Sequence, residues 1–284
     1  MTPAQETRRF LATGDHDQLS AAWPGRNRFE QICKASDALK RALVMEVIRR
    51  AQGRHLGSLP LGFDRSQYTR DKVSPMVRGL FPAREQKIML KLFENSLIFV
   101  AHDNVEQVLN QIAYLETAWQ VANLYLGSLG LRGLDGKPVG LVGLSEETTF
   151  FVSMAYFEEK DPFADYVVHE AAHVFHNWKR DRADLHHTRK REFLLQIDFA
   201  KRELFAFACE AYSRILEQAK SPADRQRLHA DYAAKWLPAA DSLDQSELVD
   251  VLAEAVVARN GWKRILRRCS PPKQPQLTFP NPSP

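Results

Sequence analysis

The segment His169-Glu170-Ala171-Ala172-His173 constrains this chain more than any other part of its 284 residues. In an α-helix, residues four apart lie on one face a single turn apart, so two imidazoles at this spacing can share one tetrahedral metal ion. Glu170 falls near the same face, where a carboxylate can accept a proton from a water that the metal activates. The spacing therefore predicts a helix with two metal ligands, His169 and His173, and a general base, Glu170.

The residues around this motif predict a helix over residues 163–180. Asp161 is a suitable N-cap and Pro162 a suitable first helical residue, and basic residues follow at the C-terminal end. With about 3.6 residues per turn, the polar side chains gather on one side: Tyr166, His169, Glu170, His173, His176 and Asn177. Because no lysine or arginine lies between Val167 and Phe175, a metal site is favoured over an amphipathic helix with incidental histidines.

Helical patterns dominate the rest of the chain, which predicts an α+β, mostly helical fold. Apolar residues at helical spacing predict further helices over residues 29–50, 84–93, 104–127, 189–219, 223–236 and 246–266, with Asn104 and Gln107 as a capping box. Runs of β-branched and aromatic residues predict strands over 96–101, 139–144 and 148–157, and the last two can pair as a hairpin. Residues 53–82 contain several glycines and prolines without a sustained period, which indicates a loop with short elements.

A catalytic zinc needs a third protein ligand and an open coordination position. A histidine six residues after His173 would supply that ligand, but Lys179 occupies the position. The next predicted helix offers Glu192, Glu203 and Glu210, and their spacing is close to whole turns, so periodicity leaves all three open. Their neighbours favour Glu203, which opens a run of small and apolar residues suited to close helix packing. Glu210 ranks second because it lies deeper in that run and must be paired, and Glu192 ranks last because it lies among basic residues.

Over about residues 139–215 the chain resembles the zincin metallopeptidases, specifically the gluzincin branch, whose third ligand is a glutamate on the helix after HExxH. Glu203 with Phe207-Ala208 is similar to the E-x-x-x-F-A pattern of several gluzincin groups, and Glu210-Ala211-Tyr212-Ser213 is similar to the E-A-x-S of thermolysin-like enzymes. The resemblance implies a zincin-like fold, in which a small sheet packs on the active-site helix and on a following helix that bears the glutamate. An edge strand of that sheet would hold extended substrate.

The resemblance also implies a Zn²⁺ cofactor held by His169, His173 and Glu203. It implies hydrolysis of peptide bonds in a protein or peptide substrate, with Glu170 as general base for a water that zinc activates. A donor to the oxyanion is expected as well, and its candidates are Tyr166, His186 and His187.

Two other functions stay open. One is a non-catalytic zincin-like module that binds a protein partner or regulates it. The other is nucleic-acid binding through the basic stretch between Lys179 and Arg191, but this stretch lacks interleaved aromatic residues, so nucleic acid is not favoured as a partner.

Composition narrows the class of protein further. The hydrophobic fraction of 44% and the charged fraction of 26% are ordinary for a globular protein. No apolar run reaches the roughly 18 residues of a membrane helix, and the N-terminus lacks the apolar core of a secretory signal, which predicts a cytoplasmic protein without a membrane partner. Cys33, Cys209 and Cys269 are widely separated, which indicates buried free thiols.

The chain divides by pattern into four regions. A mostly helical N-terminal region is predicted over residues 1–127, a zincin-like catalytic core over 128–220, and C-terminal helices packed on that core over 221–268. Residues 269–284 are rich in proline and are predicted to be a disordered tail. The pattern leaves the substrate's identity and the oligomeric state undetermined.

Overall fold

The computed structural model describes residues 1–54, 56–188, 191–240 and 243–272. These residues form an α+β fold that is mostly helical, as predicted. The helices are α1 (Pro3–Thr13), α2 (Arg28–Ala51), α3 (Arg65–Leu80), α4 (Ala83–Phe93), α5 (Val105–Gln111), α6 (Leu115–Ser128), α7 (Tyr166–Asn177), α8 (Arg202–Gln218), α9 (Pro222–Lys235), α10 (Gln245–Val257) and α11 (Gly261–Cys269). The strands are β1 (Leu97–Val100), β2 (Gly143–Glu146) and β3 (Thr149–Ser153).

The strands of the described residues form one mixed sheet in the order β1-β3-β2, which leaves β2 at an edge. β1 runs parallel to β3, and β2 pairs with β3 in an antiparallel hairpin, with Gly143 opposite Val152. The predicted hairpin is therefore confirmed, but its bounds differ from the predicted 139–144 and 148–157. β2 begins at Gly143, and residues after Ser153 turn into a 3₁₀ helix, Met154–Glu158.

Two hydrophobic cores lie on the two faces of this sheet, because successive side chains of a strand point to opposite faces. Phe99, Phe150 and Val152 belong to one core, which also contains buried residues of α3, α4 and α7 to α11 and is called the α7 core below. Val100 and Phe151 belong to the other, which contains buried residues of α1, α2, α5 and α6 and is called the α2 core. The domain division predicted at residue 127 stays a prediction, and α3 and α4 precede that residue but pack in the α7 core.

Residues 65–80 form helix α3, so the prediction of a loop over residues 53–82 was wrong in its second half. Asp64 caps this helix by accepting a hydrogen bond from Gln67 N (2.9 Å). Pro75 lies inside the helix and residues 65–72 are mostly polar, which hides the apolar period in the sequence. The buried positions nevertheless recur at helical spacing: Thr69, Val73, Met76, Val77 and Leu80. Packing on α4, α7 and α11 stabilises the helix.

The single helix predicted over residues 104–127 is two helices, α5 and α6. The chain turns at buried Ile112, whose carbonyl accepts a hydrogen bond from Lys40 Nζ (2.5 Å). Asn104 does not form the predicted capping box, because its side chain instead bonds backbone groups at the end of β1. The pattern over residues 246–266 likewise divides into α10 and α11.

Helix α7 and the helix that follows it, α8, are both shorter than predicted. α7 ends at Asn177 rather than Arg180, and α8 begins at Arg202 rather than Arg189. Arg189 and Lys190 lie outside the described residues. Part of the intervening segment crosses the C-terminus of α7, where Leu195 N donates to Phe175 O (2.8 Å). This bond satisfies a carbonyl group that the end of α7 leaves free. Because Leu195 N donates to α7, it does not form a helical bond within its own segment.

Other predictions from composition have mixed outcomes. Cys209 and Cys269 are buried free thiols, but Cys33 is exposed on α2, so its predicted burial was wrong. No helix in the described parts of the chain is long and apolar enough to cross a membrane. In the predicted tail, Cys269 is the last residue of α11, and residues 273–284 lie outside the described part of the chain.

Candidate metal centre

Helix α7 carries the HExxH motif and begins at Tyr166, with Asp165 as its N-cap. The cap predicted at Asp161 was wrong, since Asp161 accepts from Phe163 N (2.8 Å) in a turn before the helix. Asp165 is fully buried, accepts from Val168 N (3.3 Å) and forms an ion pair with Lys72 on α3 (2.7 Å). Contacts from other helices therefore set where α7 begins.

His169, His173 and Glu203 bring one ligand atom each into a group whose members lie within 4.8 Å of one another. His169 Nε2 and His173 Nε2 are 3.1 Å apart, and Glu203 Oε2 lies 3.9 Å and 3.7 Å from these nitrogens. Glu203 reaches them from the first turn of α8, which packs on α7. The structure thus brings together the three residues predicted as metal ligands.

These distances fit a divalent metal ion. Bonds of about 2.0–2.2 Å in a tetrahedral zinc site give ligand-to-ligand distances of roughly 3.3–3.6 Å. The observed separations of 3.1 to 3.9 Å bracket this range, so small side-chain movements would complete it. Two imidazole nitrogens and one carboxylate oxygen are also the donor types found in catalytic zinc sites with an open position.

Glu210, the second-ranked ligand candidate, lies behind the group. It is 4% exposed, and its Oε2 lies 2.9 Å from His169 Nδ1, the nitrogen opposite the candidate ligand atom. Its other oxygen accepts a hydrogen bond from Asp165 N (2.7 Å), the residue that caps α7. Since a carboxylate accepts and does not donate, His169 Nδ1 carries the proton and Nε2 faces His173 and Glu203.

Burial alone would lower the pKa of His169, but three carboxylates outweigh it. The hydrogen bond and charge of Glu210, with smaller contributions from Glu170 and Glu203, raise the pKa of His169 to about 9. A proton and a metal ion therefore compete for Nε2 of His169 at neutral pH.

On its Nδ1 side, His173 has neutral partners instead of a carboxylate. Its Nδ1 lies 3.0 Å from His176 Nε2, and His176 Nδ1 lies 3.0 Å from Asn177 Oδ1. Burial, with the charge of His169, lowers the pKa of His173 to about 2. Burial also lowers the pKa of His176 to about 4, although its hydrogen bond to Asn177 opposes this shift. Both rings are therefore neutral at physiological pH.

Glu170, the predicted general base, is 7% exposed and lies against the edge strand β2. Burial raises its pKa to about 7, while the charge of His169 and a hydrogen bond from Ser145 oppose the shift. A general base works best with a pKa near the working pH. Gly143 on β2 lets the carboxylate come this close, because a Cβ at that position would lie 2.8 Å from Glu170 Oε1.

A cavity of about 480 Å³ opens beside these groups. Its walls come from residues 140–143, which lead into the edge strand at Gly143, from the start of α7, from α8 and from the end of α9. Its aromatic lining consists of Phe163, Tyr166, Phe207, Tyr232 and Trp236, and its charged lining of Glu159, Asp161, Glu170, Glu203 and Glu210. No lysine or arginine lines it among the described residues. Tyr166, an oxyanion candidate, lines the cavity, and its hydroxyl donates to Glu159 Oε2 (2.5 Å).

The other candidates lie elsewhere. Glu192 forms an ion pair with Lys179 (2.7 Å), as its basic neighbourhood indicates, and does not line the cavity. His186 and His187 do not line it either. In the basic stretch, Arg180 is buried against Glu85 (2.8 Å), which leaves less free charge for a nucleic acid than the sequence indicates.

Sequence reasoning missed the roles of two sets of residues. His176 and Asn177 were placed on the motif's face without a function, although their spacing of three and four residues from His173 puts them within reach of it. No local signal marks Gly143 or Ser145 as neighbours of Glu170, because these two residues come close to Glu170 only when β2 packs on α7.

Comparison with family models, with curated proteins and with solved structures finds no match to this chain.

Proposed function

We propose that this chain is a zinc-dependent metallopeptidase with a zincin-like fold. One observation carries the proposal: the ligand atoms of His169, His173 and Glu203 converge close to the buried carboxylate of Glu170, and His169, Glu203 and Glu170 line a cavity. An amphipathic helix with incidental histidines has no need of a distant glutamate that completes the group. It also has no need of a buried acid whose pKa is near 7.

In this proposal His169, His173 and Glu203 would hold Zn²⁺, which would supply Lewis-acid activation of a water and of the scissile carbonyl. Glu170 would accept a proton from the attacking water and pass it to the leaving amine. Glu210 holds the ring of His169 in place through Nδ1. Ser145 keeps Glu170 oriented through a hydrogen bond.

The surroundings of the group support a peptide as substrate. The edge strand β2 borders the cavity, and an unpaired strand edge can bind an extended peptide by backbone hydrogen bonds. Aromatic walls suit side chains of the substrate. The carboxylates of the lining disfavour acidic side chains next to the scissile bond, so neutral or basic residues are expected there.

The first experiment measures bound zinc and peptide cleavage on the same purified full-length protein. We expect one zinc per chain and cleavage of members of a mixed peptide library, read by mass spectrometry. His173→Ala should lose the metal, whereas His229→Ala, which changes a histidine hydrogen-bonded to Val249 O outside this group, should keep it.

The second experiment changes the proposed base. Glu170→Gln should keep zinc and reduce turnover by roughly 10²–10⁴-fold, and Glu46→Gln on α2 should change neither. Cleavage retained in Glu170→Gln would contradict the role of Glu170. Zinc binding without cleavage of any peptide would favour the non-catalytic module.

A further inference from the structure

A chain of hydrogen bonds leads from the C-terminus of α7 to a ligand atom of the candidate metal centre. Asn177 Oδ1 lies 3.0 Å from His176 Nδ1, and His176 Nε2 lies 3.0 Å from His173 Nδ1. The opposite nitrogen of His173, Nε2, is the atom that faces His169 and Glu203. His176 is 8% exposed, so little water competes for these bonds.

The chemistry of the groups sets the direction of each bond. A carbonyl oxygen of an amide only accepts, so His176 Nδ1 must carry a proton and donate to Asn177. A neutral imidazole has one N–H, which leaves His176 Nε2 as an acceptor. That acceptor requires the proton of His173 on Nδ1 and leaves a lone pair on Nε2, the tautomer that a metal ligand needs.

The two metal-binding histidines are therefore held in different ways. His169 donates to the buried carboxylate of Glu210, but a second carboxylate behind His173 would add a further negative charge beside Glu170, Glu203 and Glu210. A neutral imidazole supplies the same acceptor without that charge. The rings of His173 and His176 meet edge to face, with centroids 5.1 Å apart, which also limits rotation of His173.

We propose that His176 is a positioning residue, and that the hydrogen-bond chain Asn177–His176–His173 holds His173 in the tautomer and orientation for binding the metal. This inference rests on the proposed metal centre, since it assigns a role to a residue behind one of its ligands. It predicts that the hydrogen-bond acceptor at position 176 matters more than the imidazole itself.

Three variants at position 176 distinguish the effect of a hydrogen-bond acceptor from the effect of side-chain volume. In His176→Gln the amide oxygen can reach the place of Nε2, in His176→Asn it is too short to do so, and in His176→Leu no acceptor remains. Zinc affinity is measured by competition with a chromophoric chelator on the full chain. We expect His176→Leu and His176→Asn to weaken zinc binding roughly 10- to 100-fold, and His176→Gln to stay within a few-fold of the unchanged protein.

A second measurement reports the tautomer directly. Long-range ¹H–¹⁵N spectra of the imidazoles in metal-free protein should show the proton of His173 on Nδ1, and in His176→Leu they should show a mixture of both tautomers. A residue that only fills space would not move this signal. Thermal unfolding of each metal-free variant checks that the helix is still folded, and His229→Leu is the matched change of a histidine elsewhere.

The outcomes separate this inference from the proposed function. If the unchanged protein binds no zinc, the metal centre itself is wrong. If it binds zinc and His176→Leu binds equally well with the Nδ1–H tautomer intact, only the role of His176 is overturned. Equal weakening in the Gln and Leu variants would also overturn it, because an acceptor would then not restore binding.

Discussion

The α2 core and the α7 core cover opposite faces of one sheet, but they use buried polar groups differently. In the α2 core, Glu6 accepts from Trp23 Nε1 (2.5 Å), and Asn123 accepts from Leu134 N (2.6 Å), so each group fastens one segment of chain to another. In the α7 core, Glu170 and Glu210 line the cavity, and Glu210 contacts His169 Nδ1 (2.9 Å). Asp165, whose N–H donates to Glu210, forms an ion pair with Lys72 (2.7 Å). A buried polar group that only joins two segments of chain has a structural role. Buried ionisable groups that converge on a cavity indicate a functional site.

The largest expected effect concerns pH and the α7 core. Glu210, against the effect of burial, raises the pKa of His169 to about 9, and the protonated ring cannot bind metal. Zinc affinity should therefore fall as pH falls below that pKa. We expect the dissociation constant to rise roughly tenfold per pH unit, about 100-fold from about pH 8 to about pH 6. Chelator competition at each pH measures it, and a flat profile would contradict the raised pKa.

The second-largest effect is expected from Glu210, the carboxylate hydrogen-bonded to His169 Nδ1. Glu210→Gln removes the charge that holds Nδ1–H, so zinc should bind roughly 10- to 100-fold more weakly. The comparison is made above about pH 9, where protonation of His169 no longer competes. The variant should also show a flatter pH profile near neutrality. Glu254→Gln on α10 is the control, and equal affinity in the two variants would remove Glu210 from the site.

A smaller effect is expected where the sheet meets the proposed base. The methyl group of Gly143→Ala would lie 2.8 Å from Glu170 Oε1 and must displace this carboxylate. We expect turnover to fall roughly tenfold, because a small misplacement of a catalytic group slows the reaction, while zinc affinity stays unchanged. Gly140→Ala is a matched control on the same cavity wall, since no atom lies within 4 Å of its added Cβ. Equal kinetics in both variants would show that Gly143 does not position Glu170.

The smallest effect on the site is expected from the α2 core. Asn123→Ala leaves the buried Leu134 N without its partner, which should lower the free energy of unfolding by about 1–3 kcal/mol. Zinc affinity should not change, because Asn123 contacts none of the three candidate metal ligands. Urea unfolding followed by circular dichroism measures the first quantity. Exposed Asn110→Ala is the control, and a change of zinc affinity in Asn123→Ala would mean that the two cores are coupled.

Local sequence predicted the parts of the site that lie within one or two turns of α7. His169, Glu170 and His173 were found from spacing alone, because helix geometry places them together whatever the rest of the chain does. The start of α7 was wrong by a few residues, because Asp161 and Asp165 are equally good caps in sequence and only Asp165 N meets Glu210. Helix α3 was missed because it contains Pro75 and its first half is mostly polar, and its packing on α4, α7 and α11 is not visible in the sequence.

The sequence by itself determined that the chain is mostly helical, that two strands before the motif pair as a hairpin, and that α7 presents two histidines and a glutamate on one face. These features depend on spacing within a single element. Only the tertiary structure decided that Glu203 meets the histidines while Glu210 stands behind His169. Two glutamates seven residues apart share a helix face. The tilt and depth at which α8 packs on α7 therefore determine which glutamate reaches the candidate ligand atoms of the two histidines and which one reaches Nδ1 of His169.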